Sequence, residues 1–188
     1  TTTVTLGQFN GALTPGRQCI DITPIIPQGL TEDDRNGDSL KICSWCYKLQ
    51  VSATTGMSQD INYKFYILRQ PTNPVSLSSV VDQFLEPNTF SSVVDYNSNR
   101  NYQHFADYRI MGVIQGKIKA KDDPASTSVN VNNHVCARKQ EFHLRYAKGT
   151  TTLLQNPIVV LAVASDGDRN TPNHCAFQHS MKVYFYDN

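Results

Sequence analysis

A chain of 188 residues with 17 basic and 16 acidic side chains, net charge +1, suits one domain with its own core. A near-neutral chain offers no global basic field for a polyanion, so any such site must be local. The longest uncharged apolar run, residues 157–164, is far short of the ~20 that span a bilayer, and the first residues lack a secretory layout, so no membrane protein is expected.

Residues 1–9 alternate weakly through Val4, Leu6 and Phe9 and read as an edge strand or an ordered arm, broken by Gly11, Pro15 and Gly16. Residues 18–26 read as a short strand ended by Pro24 and Pro27, which cannot donate to a ladder. A polar, turn-rich loop follows over 28–38. Residues 39–54 form the longest strand candidate, with Leu40 and Ile42 in one phase and Trp45, Tyr47, Leu49 and Val51 in the other. The switch near Cys43 and Ser44 predicts a β-bulge, or a strand that bends from one sheet into another. Residues 61–69 alternate as well and, after a turn at 56–60, read as the second arm of a long hairpin. Asn73 offers an N-cap and Pro74 a first helical position. Leu77, Val80, Val81, Phe84 and Leu85 then share one helical face before Pro87 stops the helix. Residues 88–106 are a connector that Phe90, Val93, Tyr96, Tyr102 and Phe105 can pin down.

In residues 107–120, Tyr108, Ile110, Gly112, Ile114, Gly116 and Ile118 share a face, and the two glycines imply close backbone approach or a bend. After a loop at 121–133, Gln140, Phe142, Leu144 and Tyr146 alternate against Lys139, Glu141, His143 and Arg145. The uniformly apolar 158–164 predicts a strand buried on both faces. A loop at 165–179 leads to the last strand, 180–187, where Met181, Val183 and Phe185 oppose Lys182, Tyr184 and Tyr186. Seven to nine strands, one short helix and long polar connectors describe an all-β protein. The expected fold is a single jelly-roll, an eight-stranded antiparallel β-sandwich, with the apolar and terminal strands central. Residues 1–16 form an N-terminal segment or edge strand and 17–188 the domain.

Five scattered cysteines, Cys19, Cys43, Cys46, Cys136 and Cys175, make a poor disulfide framework, so mostly reduced thiols are expected. Cys43 and Cys46 have a CxxC spacing that His174 and His179 could complete as a zinc set. Strand positions three apart face opposite ways, however, so no metal site is expected unless the bulge re-aims them. The run 32–38 has calcium-loop letters but no Glu at the twelfth position; it reads as a solvated loop, with an interface Ca2+ as the alternative, and Asp166 and Asp168 have the same status. No nucleophile or phosphate-loop motif is present, which gives an enzyme little to stand on and implies no cofactor. Lys48 beside Tyr47, Lys64 between Tyr63 and Phe65, and Lys182 beside Tyr184 interleave cations with rings, the pattern that holds single strands without sequence preference. Solvated lysines on an outer face are the plain alternative.

The segment Val131-Asn132-Asn133-His134-Val135, the strand over 140–147, the apolar 159–164 and the ending Lys182-Val183-Tyr184-Phe185-Tyr186-Asp187 resemble the C-terminal half of geminivirus-type coat proteins. Those carry an Asn-Asn-His, an apolar strand and a Tyr-Phe-Tyr-Asp ending. Gly37-Asp38 before the long strand, Arg69 closing the next, then the helix and 107–120 are similar to coat proteins of satellite viruses of the tobacco necrosis kind. The resemblance implies a jelly-roll capsid protein that self-assembles into a simplest icosahedral (T=1) shell of about 60 copies. The shell would package a single-stranded viral genome, ssDNA favoured over ssRNA, and meet a host receptor of unidentified kind. The protein would be found in the virion and, for a DNA virus, in the host nucleus during assembly. The basic arm of such proteins is absent from residues 1–16 and is expected upstream of Thr1. In the resembled capsids the sheet holding the final strand borders the genome. Strands 18–26, 61–69 and 180–187 are therefore expected as sheet-mates, putting Arg17, Lys64, Lys182 and Tyr184 on nucleic acid. Phe90, Tyr96 and Tyr102 on the long connectors are expected at intersubunit contacts. A second reading is a non-viral β-sandwich binding module for carbohydrate or protein that uses Trp45 or the loop tyrosines. A third, an enzyme on this scaffold, would need a His pair with a Glu on facing strands.

Overall fold

A computed structural model describes residues 2–5, 9–12, 17–29, 35–53, 60–70, 75–87, 89, 94, 96–119, 130–165 and 175–187. Within them the period of two read along the chain becomes ten strands: β1 (Thr2–Thr5), β2 (Phe9–Ala12), β3 (Arg17–Asp21), β4 (Ser39–Ala53), β5 (Ile61–Arg69), β6 (Arg109–Ile118), β7 (Asn130–Tyr146), β8 (Leu153–Gln155), β9 (Ile158–Ala164) and β10 (Cys175–Asp187). Their antiparallel pairings are nested. β1 and β2 pair with β10, β3 with β9, β4 with β7, and β5 with β6. Pairing of β4 with β10 and of β5 with β9 then joins the nested pairs into two sheets. Sheet A has the order β1-β10-β4-β7-β8, with β2 also on β10, and sheet B the order β3-β9-β5-β6. First strand against last and second against second-last is a long hairpin rolled onto itself, which is the jelly roll. The apolar strand and the terminal strand lie inside their sheets, as expected.

The two inner faces meet in one core to which β4 gives Trp45, Tyr47, Leu49 and Val51, β5 gives Tyr63, Phe65 and Ile67, and β10 gives Phe177, Met181, Val183 and Phe185. The ring of Phe65 meets those of Tyr63 and Phe177 edge-on, with centroids 5.9 and 5.4 Å apart, the geometry in which ring edges face ring clouds. β9 is buried on both sides because it has two cores to fill. Val160 and Ala162 face the sandwich, while Val159, Leu161 and Val163 join a second cluster with Tyr66, Leu68 and Tyr108. A helix, α1 (Leu77–Phe84), closes that cluster with Val80, Val81 and Phe84, so the outward side of sheet B is roofed.

Several local expectations are corrected. The arms 39–54 and 61–69 are not a hairpin, because β4 lies in sheet A and β5 in sheet B. Alternation reports that a face is buried; it does not tell whether the next strand lies beside the first or across the core. The helix is capped by Ser76, not Asn73: Ser76 is extended, and its Oγ accepts from Ser79 N–H at 3.3 Å. Asn73 and Pro74 lie outside the described residues. β7 and β10 begin earlier than periodicity suggests, at Asn130 and Cys175, since ladder partners on β4 hold in strand the polar residues that look like loop. The bulge is where the phase switch puts it. Both neighbours of β4 shift register between Ile42 and Ser44, and the Cys43 thiol donates to Tyr184 O at 3.1 Å, occupying a carbonyl beside the break. In β6 the phase also breaks, so Ile110, with Tyr108 just before the strand, packs on the second cluster while Met111, Ile114 and Ile118 face the main core. The β6 glycines do mark close approach: a Cβ at Gly112 would lie 2.8 Å from Val135 Cγ1, and one at Gly116 2.7 Å from Tyr63 Cζ. No helix among the described residues is long and apolar enough to cross a membrane.

Candidate polyanion-binding face

Lysines and tyrosines matter only in the groups the sheets make of them. The three expected sheet-mates do not all share a sheet: β3 and β5 both belong to sheet B, but β10 belongs to sheet A. The first strand of the roll is the pair β1 and β2, whose weak alternation suggests only an edge strand or arm, and they take the place beside β10 expected for 18–26. Lys64 and Lys182 therefore face opposite sides of the sandwich. The ammonium of Lys64 lies 4.6 Å from the ring centre of Tyr96 and 5.8 Å from that of Tyr66, beside the roof over sheet B. Its sequence neighbours Tyr63 and Phe65 point the other way, into the core. Arg17 is on β3, and its side chain lies outside the described residues.

Lys182 and Tyr184 sit on the outward side of sheet A, where the burial pattern of β10 turns Met181, Val183 and Phe185 inward. The Lys182 ammonium is 5.5 Å from the Tyr184 ring centre, and Tyr186, next on that face, is 51% exposed. The β4 register brings more charge alongside. Lys48 pairs with Ser180 and so stands diagonal to Lys182, and Lys41 pairs with Tyr186. Beyond them β7 adds Arg145, opposite Ser39, and Glu141, whose carboxylate is 2.6 Å from Lys41 Nζ. Four cations stand against one acid among the described outward positions of β4, β7 and β10. Lys48 carries a signal in the sequence through its neighbour Tyr47, but Lys41, Arg145 and Tyr186 escape that search. The phase after the bulge contains the signal for Lys41, since two residues opposite one keep Lys41, Ser44, Cys46 and Lys48 on a common side.

The remaining candidates resolve into structural parts. Cys46 is joined to Cys136 in a disulfide with Cα atoms 4.0 Å apart, which corrects the expectation for that pair of reduced thiols. Sheet register makes the pair from residues 90 apart, so spacing in the sequence gives no hint of it. In the chain-entropy model such a loop removes about 4.5 kcal/mol of freedom from the unfolded state. Cys19 is half-buried against the second cluster, and the loss of hydration, with Asp21 adding to it, pushes its thiol up to about 12. His179 is packed in the core between the rings of Tyr47 and Phe177, while His174 lies outside the described residues. Asp38 meets Arg35, 3.7 Å away, and accepts from Gly149 N–H at 3.4 Å; residues 32–34 lie outside the described residues. Arg35, which nothing in the sequence pattern marks, is fully buried. It donates to the carbonyls of Ile26, Gly37 and Thr150 and lies 4.4 Å over the Tyr146 ring, tying three loops together. Trp45, 1% exposed, is no carbohydrate platform. Of the expected contact residues, Phe90 lies outside the described residues, Tyr96 is half-buried under Lys64, and Tyr102 is 77% exposed on a 3-10 turn, pinning nothing.

No family model and no curated relative matches the chain. Among solved structures, the chain is similar to a chain of the cryo-EM structure of Broad Bean Stain Virus, with a TM-score of 0.41 and 9% identity over 99% of this chain and 88% of that one. It is also similar to a chain of Desmodium yellow mottle tymovirus, with a TM-score of 0.31 and 8% identity over 99% of this chain and 83% of that one.

Proposed function

We propose that the chain is the coat protein of a small icosahedral virus with a single-stranded genome, DNA in preference to RNA, and that the outward face of sheet A is its genome-facing surface. The observation that supports this most directly is the nested strand order, because it is the fold the coat-protein resemblance implies. The segments carrying most of that resemblance fall on β7, β9 and β10. A jelly roll alone does not imply a shell. The cationic and aromatic side of sheet A adds a local polyanion surface to a chain whose total charge is +1. Assembly of about 60 copies would use the connectors around Tyr102, whose ring is too exposed to serve its own core.

Light scattering after size exclusion, with negative-stain images of the peak, tests the reading. Uniform closed particles from wild type, and a reduced yield from Tyr102→Ala with an unchanged monomer melt, are the expected results. A stable monomer at high concentration and moderate salt would end it.

A further inference from the structure

Cys46 and Cys136 stand directly opposite each other in the β4–β7 ladder, and their bridge lies on the outward side of sheet A. Cys136 is exposed and Cys46 half-buried, while Trp45 and Tyr47 on either side of Cys46 turn into the core. Lys182 pairs with Cys46 across the β10–β4 register, and Lys48 is the next outward residue on β4. Two lysines at neighbouring outward positions on the same sheet give the cysteine a cationic setting that favours its thiolate, which is the form in which a cysteine departs when a disulfide is attacked. An exposed sulfur with a cation-stabilised partner is thus placed for exchange and not merely for cross-linking.

We infer that the Cys46–Cys136 bridge is a thiol–disulfide exchange site, a clasp on the β4–β7 pair that a dithiol opens in the folded protein. A thiolate of the dithiol attacks the Cys136 sulfur. The S–S bond breaks, and Cys46 leaves as a thiolate beside Lys182 and Lys48 before taking a proton. The second thiol of the reductant then attacks the mixed disulfide, closes the reductant's own disulfide and releases Cys136. Two electrons pass from the dithiol to the bridge, and the two protons the dithiol gives up are balanced by those the cysteines take. The ladder on both sides, Ser39 to Ile42 with Arg145 to Phe142 and Leu49 to Ser52 with Asn133 to Asn130, keeps the strands paired. What loosens is the middle of the pair. The clasp would be closed in an oxidising medium and open in a reducing one, and it does not depend on the coat-protein reading.

The test treats the full chain, purified without reductant, with dithiothreitol under native conditions, followed by iodoacetamide labelling with peptide mapping and by hydrogen–deuterium exchange. Cys46 and Cys136 should be unlabelled before dithiothreitol and both labelled after it, with the cooperative melt retained. Exchange should quicken severalfold over residues 44–48 and 134–138 but not over 158–164. Cys46→Ser combined with Cys136→Ser should exchange quickly with or without reductant. Labelling of both cysteines without reductant would overturn the bridge. Labelling that requires denaturant, or exchange that dithiothreitol leaves unchanged, would overturn the clasp.

Discussion

His179 occupies an inward position of β10, 7% exposed, with its ring 5.6 Å from that of Tyr47 and 6.1 Å from that of Phe177. Burial there denies the imidazolium its hydration and lowers the pKa from the usual 6.5. In the unfolded chain the same histidine takes its proton below about pH 6.5. The unfolded state thus binds more protons between that value and the lower folded one, so the stability held above pH 6.5 declines as the pH falls through this window. The melting temperature of wild type should drop from pH 7 to pH 5, and His179→Phe should flatten the drop. Equal slopes in the two proteins would assign the acid response to other groups. At this scale the sequence says least: His179 looks like a ligand candidate and Arg35 like part of an acidic loop. Nothing local shows that the first is surrounded by rings or that the second answers to three carbonyls.

At the level of elements, alternation and its interruptions carry much information, because burial of one face is a local property of a strand. The break in β4 and the close approach at the β6 glycines are both legible before any partner is known. Partnership is not, and that is why two strands with matching periods read as a hairpin although they lie across the core from each other. The approach at Gly112 can be measured. A Cβ there would meet Val135 Cγ1 at 2.8 Å and the Trp45 ring at 3.1 Å, where β6 comes against the other sheet. Neither neighbour is the free end of a flexible chain, so Gly112→Ala should cost roughly 1–3 kcal/mol through overpacking. Val113→Ala, next along the strand and 40% exposed, should stay within about 0.5 kcal/mol. Denaturant melts of the two variants give the comparison, and equal stabilities would mean that the sheets have room to move apart at this point.

For the whole molecule, near-neutral charge limits any polyanion site to a local surface, but which surface that would be depends on which strand opens the roll. Weak alternation in residues 2–12 conceals that β1 and β2 are the partners of β10, and the lysines of β5 and β10 are then grouped wrongly. The corrected grouping changes what a mutation should do. On the proposed genome-facing side, Lys48 and Lys182 are exposed and diagonal across β4 and β10, with Tyr184 and Tyr186 beside them to stack on bases. Removing one lysine that neutralises a phosphate of a single strand lowers the salt slope of binding by about 0.7, so Lys48→Ala with Lys182→Ala should flatten it by about 1.4. Lys64→Ala should leave the slope as it is, because that ammonium lies against the rings of Tyr96 and Tyr66 on the other sheet. Binding of a fluorescent single-stranded oligonucleotide across a salt series reads all three proteins, and shells should still form in each. A slope that falls equally in Lys64→Ala would show that the polyanion reaches both sides of the sandwich. An unchanged slope in the double variant would show that these lysines are only solvated and that the charge for the genome is carried outside the jelly roll.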